Sequence, residues 1–379
     1  MLSEVDIAII GGGNAGLTLA AQLAAQLTPP TTVVLEPQTP EQRDCSWGLW
    51  ARQSQAQQLS PATKGRWRRW QLIDHRQRVV HCSEQFSYLS LSSANYLQSR
   101  ADALRGPVSL VQASVTALDY DGDRVVIETD KAQYRAKKVY DSRPPTLIEN
   151  GLRQHFIGWH IRTKKPIQEP DVATLMDFRV DQSRGLHFVY ALPFSDHHLL
   201  VESTVISNTL EPSEWYRAAI ETWLRDNNID VEEIISEEMG VIPMDTLVKG
   251  QSATEAKFCG QVSPIGAASG AVRRSSGYAF QHIQQQTTEL AEGIAHGRMA
   301  VPTPISSHLT MMDTVFNGVL NSRPDLSVSL YMRMANALNG DQFARFMLGQ
   351  ATALDWLRVI AAMPKLPFLA QCLRQLRHD

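Results

Sequence analysis

Residues 5–24 constrain this chain more than any other stretch. An apolar run, Val5-Asp-Ile-Ala-Ile-Ile10, breaks at Gly11, Gly13 and Gly16 and resumes as an alanine-rich amphipathic segment. The pattern predicts strand, tight turn, helix. At G-x-G-x-x-G spacing the first glycine permits the turn, the second lets backbone approach a pyrophosphate, and the third lets helix and strand pack closely. The phosphates would lie on the helix N-terminus, where unpaired N–H groups and the helix dipole favour anions. The motif alone is common, and a glycine-rich turn without a ligand is its plain alternative. Here a second β run, Thr32-Val-Val-Leu35, ends in Glu36, about twenty residues past the last glycine, where an acid binds a ribose hydroxyl.

The 379 residues, 43% of them hydrophobic, suit a chain with a sizeable core and two or three lobes. A net charge of −3 gives no basic footprint for nucleic acid. Cys45, Cys82, Cys259 and Cys372 lie far apart with no C-x-x-C pair, which argues against a metal site or a disulfide framework and fits a reducing, cytoplasmic setting. The first residues carry no basic run, so no signal peptide is expected. No stretch of about 18 apolar residues is present to span a membrane.

After Glu36 comes a Pro/Gln/Thr-rich turn and then Arg43-Asp-Cys-Ser-Trp-Gly-Leu-Trp50, which has neither helical nor strand period. Trp47 and Trp50 either pave an apolar tunnel or fill core. Trp67-Arg-Arg-Trp70 reads as a solvated basic turn with one buried Trp. Residues 71–90 alternate enough for a short sheet, and 93–104 read as a helix with Ser at its cap. Three β runs over 108–115, 124–128 and 134–140 predict a small antiparallel meander. It stops at Asp141-Ser-Arg-Pro-Pro145, where X-Pro steps favour extended or turn geometry.

Residues 156–162, 172–180, 186–192 and 198–206 predict four antiparallel strands with one face buried. In the last, period two puts Leu200, Glu202 and Thr204 on one face and Val201 and Ser203 on the other. Glu202 either caps an exposed face or stands in a cavity. Residues 212–227 read as helix, 234–244 as a strand containing Glu237-Glu-Met-Gly-Val-Ile-Pro243, and 258–262 as a β run. A glycine- and alanine-rich turn with Gly266, Gly270 and Gly277 then enters a helix over 278–296. Flavoproteins use such a late turn to complete the ribityl and pyrophosphate site, and close helix packing is its alternative. Five helices are expected over 306–321, 325–339, 341–352, 353–362 and 367–378. Their apolar stripes, beside Lys365, Arg374 and Arg377, pack on the core or lie on a membrane surface.

Several further stretches bear on the family: Val139-Tyr-Asp-Ser-Arg-Pro144, Gln154-His-Phe-Ile-Gly-Trp-His160, Leu175-Met-Asp-Phe-Arg-Val180, Phe188-Val-Tyr-Ala-Leu-Pro193, Leu199-Leu-Val-Glu-Ser-Thr204, Gly240-Val-Ile-Pro243 and Ser275-Ser-Gly-Tyr278. With the first glycine turn and the 43–50 run, they make a chain that resembles the FAD-dependent lycopene cyclases over nearly its whole length. The Asp-Ser-Arg-Pro and Met-Asp-Phe-Arg segments point to this family rather than to hydroxylases. The resemblance implies non-redox closure of the linear ψ-end of lycopene, or of another linear carotenoid, to a β ring. It also implies reduced FAD as the cofactor, with NADPH as the expected reductant. Gly11, Gly13, Asn14, Ala15, Gly16, Glu36, Gly266, Gly270 and Gly277 are the expected cofactor contacts. Trp47, Trp50, Tyr190 and Tyr278 are the expected substrate contacts. Glu202 falls on the family's acidic Leu-Glu-Glu-Thr-like motif, which makes it the expected proton donor in a cavity where burial raises its pKa. Two departures stand out: Ser203 replaces a second acid, and Arg273-Arg274 precede Ser275 where Pro is usual.

The expected fold is α/β: a Rossmann-like FAD-binding domain of the glutathione-reductase or hydroxylase type (1–45, 91–145 and 255–300), an antiparallel β-sheet substrate domain (46–90 and 146–254) and a helical C-terminal part (301–379). Peripheral attachment to a membrane is expected of a protein handling so apolar a substrate. The rivals are a flavin monooxygenase or prenyl reductase, and a carotenoid-binding flavoprotein without turnover.

Overall fold

The computed structural model describes residues 2–145, 149–244 and 257–375. The chain begins with β1 (Leu2–Ile10), the helix Asn14–Ala24 and β2 (Thr32–Leu35), followed by β3 (Ser46–Arg52), β4 (Thr63–Trp67), β5 (Arg69–Ile73), β6 (Arg78–Cys82) and β7 (Phe86–Ser92). After the helix Ser93–Ala101 come β8 (Val108–Val111), β9 (Val115–Tyr120), β10 (Val125–Thr129) and β11 (Gln133–Asp141). Then follow β12 (Arg153–Thr163), β13 (Val172–Asp177), β14 (Leu186–Pro193), β15 (His198–Ser207), the helix Ser213–Asp226, β16 (Val231–Pro243) and β17 (Val262–Pro264). Helices Phe280–Ala295, Ser307–Ser322, Ser327–Ala337, Gly340–Met347, Ala353–Ala362 and Lys365–Gln375 complete the described chain.

The first sheet runs β8-β2-β1-β11-β10-β9, parallel as far as β11 and antiparallel beyond it. One edge of β11 is shared: β10 pairs with its first half and β17, in parallel, with its last residues. That brings the turn after β17 beside the turn after β1. The meander expected from three runs is therefore β9-β10-β11, and β8 stands at the opposite edge as a parallel partner of β2. The 108–115 run is two strands because the chain breaks between them. Ala113 N–H donates to Glu36 O, and Ser114 N–H donates to Asp130 Oδ1.

The second sheet, β16-β12-β15-β14-β13-β5-β6, is antiparallel except where β13 meets β5. A small sheet, β3-β7-β4, is built from the stretch between β2 and β8, which also contributes β5 and β6 to the second sheet. Trp67 and Trp70 correct the basic-turn expectation. They belong to strands of different sheets and both are buried, so the two arginines are only the crossing point. The 258–262 run is likewise mostly turn: Cys259 and Gly260 both have positive φ, and pairing starts at Val262. Of the final expected helix, residues 376–378, with Arg377, lie outside the described residues.

The helix Ser213–Asp226 covers one face of the second sheet through Tyr216, Ile220 and Trp223. The other face joins Trp50, Trp67 and Trp70 with Leu330, Phe343 and Met347 of the C-terminal helices in one core. Such burial is the main stabilising term, since each large side chain removed from water contributes about 1.5–3 kcal/mol.

Candidate active site

The glycine turn is fixed from two sides. Gly11 has φ +93°, and its N–H donates to Leu35 O at 2.9 Å. Ser142, from the Asp-Ser-Arg-Pro segment, donates through Oγ to Ile10 O (2.9 Å) and Gly11 O (2.8 Å). A Cβ on Gly16 would lie 1.9 Å from Gly11 O, whereas a Cβ on Gly13 would meet nothing within 4 Å. Gly13 caps the helix Asn14–Ala24 without any side chain taking its first N–H groups. An open backbone face over an uncapped helix start fits a pyrophosphate.

Glu36 is buried at the end of β2, where its Oε2 accepts from Gly12 N–H at 2.7 Å and lies 3.3 Å from Arg43 Nη1. Asn14 Oδ1 accepts from Gln284 Nε2 at 2.9 Å. Ala15 meets the late turn, because a Cβ on Gly266 would be 2.7 Å from Ala15 Cβ. Gly270, at φ +84°, ends that turn. Gly277 is elsewhere: its nearest neighbour is Ile242 of β16, so it stands with the second sheet.

On the second sheet, register places Tyr190, Glu202, Gly158 and Glu238 in one row across β14, β15, β12 and β16. Directly paired residues share a face, so both carboxylates stand on the same side, with only a glycine between them. Glu202 is 8% exposed and accepts from Thr204 Oγ1 at 2.6 Å. Burial pushes its carboxyl up to about 8; the charge of Glu238 adds to this and the Thr204 hydrogen bond opposes it. Of the two alternatives for this residue, exposure is excluded: Glu202 is buried, next to Tyr190 on the neighbouring strand. Tyr88, Tyr190 and Tyr278 are held neutral by burial, with Glu202 among the charges acting the same way.

Trp50, Tyr190 and Tyr278 come together with Tyr331, Phe343 and Met347 around an aromatic cleft of about 10 Å³, roughly the room of one water. Trp50 contacts Tyr278 edge-on, with ring centroids 5.1 Å apart. Trp47 is not part of it and packs on Tyr96 and Phe280 in the core of the first sheet. Behind the cleft lies a far larger cavity of about 490 Å³, lined by Met311, Phe316, Trp356, Val359 and Phe368 and sharing Tyr331, Met334 and Met347 with it.

The 43–50 run links these parts. Arg43 Nη2 donates to Gly12 O at 2.9 Å, Ser46 N–H donates to Glu238 Oε2 at 2.9 Å, and Trp50 lines the cleft. Glu238, Ser46, Gly158 and His160 were not singled out by sequence reasoning. Glu237 and Glu238 are adjacent, and period two says only that they face opposite ways. Glu237 is the one held down, to about 2, by Arg217. Ser203 faces away from the row and shares a 2.9 Å hydrogen bond with His187 Nε2. Arg273 points out of the late glycine turn and is buried against Asp313.

Solved structures share this fold over almost the full chain. A geranylgeranyl bacteriochlorophyll reductase-like protein from Thermoplasma acidophilum aligns with a TM-score of 0.64 and 13% identity, covering 99% of this chain and 100% of its own. The flavin-dependent brominase Bmp2 aligns at 0.57 and 12%, with all of both chains covered. A halogenase PltM variant in complex with FAD aligns at 0.57 and 11%, over 91% of this chain and 79% of its own. The fold is that of FAD-dependent flavoproteins. In sequence, the lycopene beta-cyclase of Pantoea ananas is 23% identical over 401 aligned positions, 98% of this chain and 97% of the relative. That of Paracoccus sp. (strain N81106 / MBIC 01143) is 25% identical over 228 positions, covering 56% and 57%. Residues 6–371 match the family described as Lycopene cyclase protein, and the chain belongs to that family.

Proposed function

We propose that this protein closes a linear ψ-end of lycopene to a β ring, with FAD held noncovalently at the two glycine turns and NADPH as the reductant. The observation that carries the proposal is Glu202: a carboxyl buried beside an aromatic cleft and kept protonated near neutral pH, in a chain of this family. Its residues suit the chemistry. Glu202 gives its proton to the terminal C1=C2 bond, C1 becomes a tertiary cation, C5=C6 closes on it, and loss of a ring proton restores neutrality. Trp50, Tyr190 and Tyr278 present π faces to the developing cation and exclude water that would trap it. Gly13, the helix start and Glu36 would hold the pyrophosphate and ribose of FAD. When bound, the reduced flavin supplies negative charge near the cation without net electron transfer. The large apolar cavity would accommodate polyene beyond the reacting end. The cleft itself must widen for a ring to form, and flexible Met347 and Met334 at the shared wall are the side chains able to yield.

The test is expression in a lycopene-accumulating bacterium with chromatographic identification of the pigment. β-ring product is expected; untouched lycopene beside soluble, flavin-loaded protein would sink the proposal. NADPH consumed in proportion to product would instead favour a reductase or monooxygenase.

A further inference from the structure

The row that holds Glu202 contains a second carboxylate for which the donor role of Glu202 gives no use. Glu238 is 8% exposed, and its two oxygens differ. Oε2 accepts from Ser46 N–H at 2.9 Å and lies 3.4 Å from His160 Nε2. Oε1 is buried without a hydrogen-bond partner. Among the described residues no group satisfies that oxygen, so the hydrogen bond from Ser46 does not account for the whole carboxylate. Gly158 is the residue between the two acids. A Cβ there would lie 3.2 Å from both Glu202 Cβ and Leu200 Cδ1, so the missing side chain is what lets Glu202 lie over the middle strand. Behind Glu238 the polar chain continues outward: His160 Nδ1 is 3.3 Å from Nε2 of His198, which is partly exposed.

We propose that Glu238 is the proton relay for Glu202, taking protons from solvent through His198 and His160 and reloading the acid across Gly158 after each ring closure. This rests on the cyclase proposal. Ring closure transfers the Glu202 proton to a substrate carbon and leaves a carboxylate, while another proton leaves the ring carbon as the double bond forms. The reaction is proton-neutral and no electrons change hands, yet the donor must be protonated again before the next turnover. The Glu202 carboxylate takes the ring proton, and Glu238 exchanges it, through the imidazoles, for a proton from solvent. The charge of Glu238 also opposes ionisation of Glu202, after burial itself, which keeps the reloaded acid protonated. Among the described residues, other charged or titratable neighbours of this row and its imidazoles include Lys64, which donates to Ser46 Oγ at 3.2 Å, Arg162, whose charge acts on His198, Cys45, and the buried Tyr88, Tyr190 and Tyr278. The second acid that Ser203 lacks is thus supplied two strands away, on the correct face.

The experiment is turnover in D2O with mass analysis of the product. Wild type should place about one solvent deuterium in each ring. Glu238→Gln should load flavin, turn over about 10-fold more slowly, and place less solvent deuterium, because the ring proton taken by Glu202 is no longer exchanged and is used again. Glu238→Asp should restore part of the label. His198→Gln, at the exposed end, should lower the label in the same way and decides the matter if Glu238→Gln does not fold. Unchanged rate and label in folded Glu238→Gln, or unchanged label in His198→Gln, overturns the relay while leaving the cyclase proposal standing. Wild type that forms no ring overturns the cyclase proposal instead.

Discussion

At the scale of single residues, Glu202 makes the sharpest demand. A donor must be protonated, so cyclisation should fall as pH rises through about 8, the value to which burial pushes this carboxyl. Its effect on stability has a definite sign. From about 4.5, its ordinary value, to about 8 the folded chain holds a proton that the unfolded chain has lost, so stability should decline across that window as pH rises. Glu202→Gln should remove that decline in urea midpoints taken at about pH 5 and about pH 9. It should also lower turnover by about 10²–10⁴-fold with FAD still bound. Full activity in the flavin-loaded variant would end the donor role. The glycines separate in a similar way. Gly13→Ala meets no protein atom, so it should leave the melting temperature of the flavin-free protein unchanged and weaken only FAD binding, read by flavin fluorescence. Gly16→Ala drives a Cβ into Gly11 O and should impair folding itself. Equal FAD occupancy in Gly13→Ala and wild type would show that the pyrophosphate lies elsewhere. Glu202 and these glycines were legible from spacing and family resemblance. Glu238 was not, because which of two adjacent glutamates faces Glu202 depends on strand register, a long-range fact absent from local pattern.

At the scale of elements, the late glycine turn shows how a local departure becomes a tertiary device. Arg273 donates to both Asp313 oxygens (2.9 and 2.7 Å) and to Phe346 O (2.9 Å), while Ser275 Oγ donates to Asp313 Oδ1 (2.7 Å). The turn is thereby tied to helices Ser307–Ser322 and Gly340–Met347. Asp313→Ala leaves a buried guanidinium without its counter-charge, so unfolding free energy should drop by about 3–5 kcal/mol. A loss under about 1 kcal/mol, by urea titration, would mean that solvent already reaches the pair. Most strands and helices were legible because alternation and apolar stripes persist over many residues. What local pattern could not give was partnership. β8 reads like a meander strand but pairs with β2, because β9 and β10 already occupy the side of β11 where it was expected. Trp67 and Trp70 flank two arginines, and only their burial on different sheets shows that the charge between them is incidental.

At the scale of the molecule, the apolar cavity and the apolar surface meet. Ile360, Lys365, Phe368, Leu369 and Cys372 line the cavity and belong to, or join, the last two helices. On those helices Leu357 is 62% exposed and Leu366 81%, with Leu354, Leu369 and Leu373 also exposed. Lys365 folds back on Ile360 O, Ala361 O and Met363 O, which sets its charge at the joint between the two helices. Among the described residues no helix is long and apolar enough to cross a membrane. A cluster of this kind at the mouth of an apolar cavity suits an interfacial face that dips into a bilayer and receives the polyene without passing it through water. Peripheral attachment follows as an expectation: wild type should float with anionic liposomes at low salt. Leu357→Asp combined with Leu366→Asp places two charges on that face at positions that line neither the cavity nor the cleft. The double variant should stay at the bottom of the gradient and lose turnover on liposome-borne lycopene by about 10-fold, since charge at an interfacial position opposes insertion. Its activity on detergent-dispersed substrate should be unchanged, because no residue of the acid row is touched. A wild type that fails to float, or a double variant that floats equally well, would detach the apolar face from substrate delivery.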